Sequence, residues 1–221
     1  MNSQRVKFLG VVIARLRRRY RAELRTTLDH GSPWELLVAT MLSAQATDAS
    51  VNRITPKLFG AFGGVSDYAA LRPPQLYKYT KSIGLYRSKS KNIVNAAKVI
   101  VGNYMSKVPD TMEGLTSLPG VGRKTANVVL YNAFNKSYGI AIDTHCITVA
   151  NRLGLARSTV AAKIEKELMG ITPRKNWGDL THLFIALGRD ACTARRKYCE
   201  RCVLNDICPS STVKTKHQVP S

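Results

Sequence analysis

The sequence predicts an all-α protein, and three observations carry that prediction. Apolar residues recur at three- and four-residue spacing through most of the chain. No stretch shows the two-residue alternation of a half-buried strand. Pro, Gly and short capping residues fall where one periodic segment gives way to the next.

Residues 5–28 read as one amphipathic helix. Leu9, Ile13, Leu16, Tyr20 and Leu24 share a face, and Arg15, Arg17, Arg18, Arg19, Arg21 and Arg25 occupy the others. Ser32-Pro33 starts a second helix, with Ser32 as cap and Pro33 in the first turn. Trp34–Leu42 is apolar on nearly every side and belongs in a core. Ser43–Asp48 interrupts it with small and polar residues, and a helix from 49 to about 59 follows, with Asp48 as its cap. Gln45 puts a long polar side chain at the tip of that turn, where it can probe a ligand. A helix over 67–79 is broken by Pro73-Pro74. Ile83-Gly84-Leu85-Tyr86 then turns toward a helix over 92–104, with Arg87, Lys89 and Lys91 placed for phosphates. Leu85 on that Gly turn is either ordinary packing or an apolar wedge of the kind that opens a duplex. Later helices are expected over 147–153, 160–169 and 177–191. Residues 210–221 lack periodicity and read as a disordered tail.

The chemistry concentrates between Leu118 and Asp143. Leu118-Pro119-Gly120-Val121-Gly122-Arg123 makes a tight turn in which Gly120 and Gly122 permit positive φ and close backbone approach. A helix begins near Lys124, so its unpaired first-turn amides lie on a Gly-rich hairpin, a ready site for a phosphate. Met112, Leu115 and Leu118 stand at helical spacing upstream, giving helix, hairpin, helix. A Lys at a helix start faces the positive end of the dipole. That field, with desolvation, favours the neutral amine that can act as nucleophile. Asp143, between Ile142 and Thr144, suits a helix N-cap.

Cys192, Cys199, Cys202 and Cys208 are separated by six, two and five residues. Four thiols that close together imply a closed Cys₄ site, and zinc and a [4Fe–4S] cluster both accept such a set. The basic loop Arg195-Arg196-Lys197 is pinned between the first two. Cys146 and His145 read as helix packing, and His182 has no ligand-spaced partner. The chain has 221 residues, 44% of them hydrophobic, enough for one or two real cores. A net charge of +20 implies a polyanionic partner. No apolar run approaches a membrane span.

The hairpin Leu118–Asn127 with Lys124 and Asp143-Thr144-His145, the Ser43–Asp48 and Ile83–Tyr86 segments and the four cysteines together resemble the endonuclease III family, over about residues 7 to 209. The resemblance implies a helical barrel domain over 26–136 carrying the helix-hairpin-helix. A second helical domain, from 1–25 and 137–209, would carry a [4Fe–4S] cluster on the four cysteines. Damaged double-stranded DNA would lie in a cleft between the two, with Lys124 and Asp143 at its mouth and the protein acting as a monomer. It also implies a glycosylase and abasic-site lyase for oxidised pyrimidines, cytoplasmic in a prokaryote, nuclear or mitochondrial in a eukaryote. Lys124 would be the Schiff-base nucleophile, with Asp143 as base or charge stabiliser. Leu118, Pro119, Gly120, Val121, Gly122, Arg123, Arg195, Arg196 and Lys197 would hold the strand, while Gln45 and Leu85 enter it. Two alternatives stay open: a monofunctional mismatch glycosylase on the same scaffold, and a noncatalytic DNA-binding or redox-sensing protein.

Overall fold

The computed structural model describes residues 2–213, the side chains of Asn2 and Glu23 excepted. Among the described residues the regular structure is helical, and the one β-feature is an isolated bridge between Cys192 and Lys197. None of the helices is long and apolar enough to cross a membrane. The predicted tail from 214 onward lies outside the described residues. The chain divides into two compact units, Thr27–Tyr138 and Met1–Thr26 with Gly139–Ser221.

The continuous unit holds α2 (Pro33–Ser43), α3 (Asp48–Ala61), α4 (Val65–Ala70), α5 (Pro74–Thr80), α6 (Tyr86–Asn103), α7 (Met112–Thr116) and α8 (Arg123–Phe134). As read from the sequence, Ser32 caps α2, its hydroxyl accepting from the Glu35 amide at 3.2 Å. Leu36, Leu37, Val38, Ala39 and Leu42 have no exposure, so α2 is the central helix of this core. It packs against α3, α6 and α8. Burying five such side chains contributes on the order of 10 kcal/mol of gross hydrophobic stabilisation, much of it offset by chain entropy.

In this unit the starts of α3 and α6 differ from expectation. Thr47 rather than Asp48 caps α3, because its hydroxyl accepts from the Ser50 amide at 3.2 Å. Asp48 sits in the first turn and accepts from the Thr27 hydroxyl at 2.6 Å. The helix α6 starts at Tyr86, six residues earlier than read, because Leu85 in the left-handed region (φ 59°) reverses the chain there.

The discontinuous unit combines α1 (Asn2–Arg19) with α9 (Thr144–Arg152), α10 (Ala161–Met169) and α11 (Trp177–Asp190). Leu9, Ile13, Leu16 and Tyr20 are buried as the periodicity predicts, against Val149, Leu180, Leu183 and Phe184. The helix stops at Arg19, well short of 28, and gives way to a short 3₁₀ turn over 21–23. Several of its arginines hold this unit together. Arg17 donates to Asp179 and Asn176, Arg15 pairs with Asp206, and Arg5 donates to the Leu155 carbonyl at 2.6 Å.

Candidate functional site

Within the continuous unit, α7 and α8 flank the hairpin. Thr111 caps α7, accepting from the Gly114 amide at 3.1 Å. The chain then turns over Leu118–Gly122, closed by the Val121 amide donating to the Leu118 carbonyl at 3.1 Å. The first intrahelical bond of α8 runs from the Ala126 amide to the Gly122 carbonyl at 3.0 Å. The amides of Lys124 and Thr125 therefore have no acceptor within the helix.

The two glycines are not equivalent. Gly120 has φ +78°, and a Cβ there would meet Asn92 of α6 at 2.6 to 2.9 Å, so both conformation and space require glycine. Gly122 has φ −90° and ψ 172°, and a Cβ would meet nothing within 4 Å. The positive φ read for both applies only to Gly120. Gly120→Ala should therefore destabilise by about 2–4 kcal/mol, from left-handed strain and overpacking. Gly122→Ala should leave the melting temperature within about 2 °C yet weaken binding of any phosphate-bearing ligand, a DNA duplex among them, if the orphan amides of α8 take a phosphate. Thermal melts and fluorescence anisotropy on the two variants check this.

Side chains of the hairpin divide the same way. Leu118 and Val121 bury their side chains in the core and leave only their backbone on the turn. Gly120, Gly122, Arg123 and Lys124 are exposed, and Pro119 is half-buried. Exposure also means that burial does not supply the desolvation expected at Lys124.

The two probing turns behave differently from the helices around them. Gln45 is exposed with φ 56°, and Leu85 is 63% exposed with φ 59°, both in the left-handed region. A leucine so exposed and so strained is not explained by packing. Lys89 was read with Arg87 and Lys91 as a phosphate contact. It is instead buried, and its Nζ donates to the Leu42 carbonyl at 2.8 Å. Arg87 and Lys91 remain exposed.

In the discontinuous unit Asp143 caps α9, its Oδ1 accepting from the Cys146 amide at 2.8 Å, and it is only half-buried. His145 packs against Gly188 of α11, where a Cβ would meet it at 2.8 Å. Burial pushes the His182 imidazole down to about 4, with the Asp179 and Asp143 charges opposing and Arg25 and Arg189 assisting, so it is neutral in the fold near pH 7.

Each cysteine sulfur of the loop faces a donor. Arg152, the last residue of α9, reaches Cys192 Sγ with Nη1 at 3.3 Å and also donates to the carbonyls of Thr193 (2.8 Å) and Ala194 (3.1 Å). Burial opposes ionisation of Cys199, yet bonds from Thr212 and Ser211 and the charge of Lys197 hold its thiol below the ordinary range. Burial raises Cys202 and Cys208, against amide bonds from Leu204 and Ser210, and the charges of the neighbouring cysteines raise both further. No group of three or more His, Cys, Asp or Glu side chains among the described residues could hold a single metal ion. Residues 210–213, read as tail, thus belong to the cysteine loop, because Ser210, Ser211 and Thr212 supply its donors. Within the basic loop, Lys197 is committed internally, donating to the Ser210 carbonyl at 2.7 Å. Arg195 and Arg196 are exposed, with Arg196 over the Tyr198 ring at 4.9 Å.

Sequence reasoning misassigned Lys89 and missed Asn92, Arg152 and Thr212. A signal existed for the first: counting back four from Ile93 places Lys89 on the buried face of α6. The other three act across distant segments and leave no local trace.

Comparison with known proteins shows the family to which the chain belongs. A family model for HhH-GPD superfamily base excision DNA repair proteins matches residues 38–174. Endonuclease III of Synechocystis is 42% identical over 185 residues, 84% of each chain. That of Bacillus subtilis is 43% identical over 190 residues, 86% of each chain. A solved structure of a trapped endonuclease III–DNA covalent intermediate superposes with a TM-score of 0.86 at 37% identity, covering 95% of this chain and 96% of that one.

Proposed function

The chain belongs to the HhH-GPD superfamily of base excision DNA repair proteins, and from that premise we propose that it is a bifunctional glycosylase and abasic-site lyase of the endonuclease III type, acting on oxidised or ring-saturated pyrimidines in double-stranded DNA. The observation that carries this reading is Lys124: an exposed amine on the first turn of α8, directly after the left-handed turn at Gly120.

The amides at the start of α8 hold the phosphate beside the lesion, where the helix dipole favours negative charge. Gln45 and Leu85 enter the stack, Arg195 and Arg196 add phosphate contacts, and the damaged nucleotide leaves the helix. The Lys124 amine then attacks the deoxyribose C1′. The glycosidic bond breaks, and the base departs with its electron pair and takes up a proton. Loss of the amine proton and opening of the sugar leave a protonated Schiff base between Lys124 and C1′. That iminium acidifies the 2′-hydrogen. Its removal drives out the 3′-phosphate with the C3′–O electron pair, cutting the strand on that side. Since Lys124 is exposed without DNA, bound duplex must supply the desolvation that favours its neutral form.

Asp143 contributes a charge whose cap bond aims it along the start of α9. It receives the amine proton or offsets the positive charge developing on the sugar. Asp143→Asn keeps the capping oxygen and removes the charge. Its melting temperature should stay near that of the wild type, while single-turnover base release falls by about 10²-fold or more. Asp143→Ala should lose activity and also about 1 kcal/mol of stability. Base release at wild-type rate in Asp143→Asn would remove this role.

The four cysteines fit a [4Fe–4S] cluster. Each sulfur has a hydrogen-bond donor that stabilises a thiolate. The thiols are near enough to feel one another's charge, as ligands of one closed site must be, and the resemblance to the endonuclease III family favours the cluster over zinc. When bound, such a cluster supplies closed, structural ligation. Held by it, the loop presents Arg195 and Arg196 as a fixed pair of charges. A monofunctional, water-using glycosylase leaves Lys124 without a role.

A further inference from the structure

Lys89 is a buried cation that the reaction above does not use. It is 7% exposed on the first turns of α6, and burial pushes its ammonium below the ordinary lysine range. An ammonium withdrawn from water is costly unless its bonds compensate. Two of its bonds reach the probing turns, each at the base of a different one. Its Nζ donates to the Leu42 carbonyl at 2.8 Å, one turn before the chain reverses at Gln45. Its amide donates to the Leu85 carbonyl at 3.0 Å, closing the first turn of α6 on the other left-handed residue.

The surroundings explain why a lysine suits that place. The end of α2 carries orphan carbonyls and the negative end of its dipole, which a cation satisfies. The Thr40 carbonyl takes the Ser43 hydroxyl at 2.9 Å, and the Ser43 carbonyl takes the Ala46 amide at 3.0 Å. The Leu42 carbonyl is met from α6 by Lys89. Beside it, the Thr80 and Ser90 hydroxyls bond at 3.0 Å, and the Ile83 amide donates to the Thr80 carbonyl at 2.8 Å. The Leu85 turn is thereby tied to α5 and α6 as well.

We propose that Lys89 is a positioning residue, a brace that fixes the Gln45 turn relative to the Leu85 turn so that both enter one duplex in register. This rests on reading Gln45 and Leu85 as the duplex-entering residues. The brace has no part in the bond-breaking chemistry at Lys124, so its loss should harm only substrates whose strands must be parted.

The test compares abasic-site cleavage in duplex and in single-stranded DNA, using full-length, cluster-loaded protein. Lys89→Met keeps length and removes the donor. Its duplex-to-single-strand ratio of kcat/KM should fall about 10- to 100-fold, the scale of a small misplacement of reacting groups, while single-strand cleavage stays near wild type. In a Gln45→Ala/Leu85→Ala background, which should itself lower the ratio, adding Lys89→Met should change it less than about twofold, because the brace acts through those two side chains. If Lys89→Met does not fold, Lys89→Gln, whose amide falls short of Leu42, is read on the same ratio. An unchanged ratio in a folded Lys89 variant, or an equal fall in both backgrounds, overturns the brace while leaving Lys124 chemistry intact. A Gln45→Ala/Leu85→Ala protein with a wild-type ratio overturns the entry reading and the brace with it.

Discussion

Lys124→Ala should fold like the wild type and lose strand cleavage at an abasic site by about 10³-fold or more. The first half follows from exposure: Lys124 lies on the outside of the first turn of α8, while Ala126, Val129 and Leu130 carry that helix into the core. Alanine at this position, if anything, favours the helix start, since it removes a cation from the positive end of the dipole. The second half follows from the chemistry. Without the amine no Schiff base forms, and without an iminium the 2′-hydrogen has no acidity to drive elimination. Binding to an abasic duplex should drop by less than about tenfold, because the phosphate contacts at the α8 amides and at Arg195 and Arg196 are kept. A stopped-time cleavage assay beside an anisotropy titration separates the two effects. Strand cleavage within tenfold of wild type would contradict the assignment.

On the proposed [4Fe–4S] assignment, Cys199→Ser should lose the cluster's visible absorbance and the order of the loop it closes, without melting the unit to which it belongs. Cys199 is buried, and Thr212, Ser211 and Lys197 all converge on it, so the loop from 192 to 213 depends on that corner. The helices beneath do not. Leu9, Leu16, Val149, Leu180, Leu183 and Phe184 are fully buried in a helical cluster, of which Cys192, Cys202 and Cys208 form only part of the flank. Hydrogen exchange should therefore show protection falling on the order of 10³-fold across the loop, with α1, α9 and α11 retained. DNA affinity should fall with it and show a shallower salt dependence, because Arg195 and Arg196 no longer meet phosphates together. Uniform loss of protection across the unit would show that the cysteines hold more than their loop.

The sequence revealed what is local and left hidden what is assembled. Ser32 before Pro33, the turn Leu118–Gly122 and the cap Asp143 each depend on neighbours within a few residues, and each lies as read. Leu85 beside Gly84 was legible as a turn residue, but packing and wedge stayed open until its 63% exposure and left-handed backbone were seen. Lys89 was misread by grouping it with Arg87 and Lys91 by charge instead of by helical face. Gly122 was credited with the constraint that Asn92 places on Gly120 alone, and Asn92 lies 28 positions away in the chain. Ser210 to Thr212 looked like the start of a polar tail because their bonds go to sulfurs, and nothing in their own composition signals that. The length of α1 was overestimated because Leu24 keeps the helical spacing past the point where the helix ends at Arg19.

The central claim is that one amine, on Lys124, bonds to the sugar. Borohydride reduction of the cluster-loaded protein on an abasic duplex, followed by proteolysis and mass spectrometry of the DNA-linked peptide, reads that amine directly. The account predicts a covalent adduct whose modified residue is Lys124. An adduct on another lysine or on the N-terminal amine, or no adduct from folded wild-type protein, would contradict it.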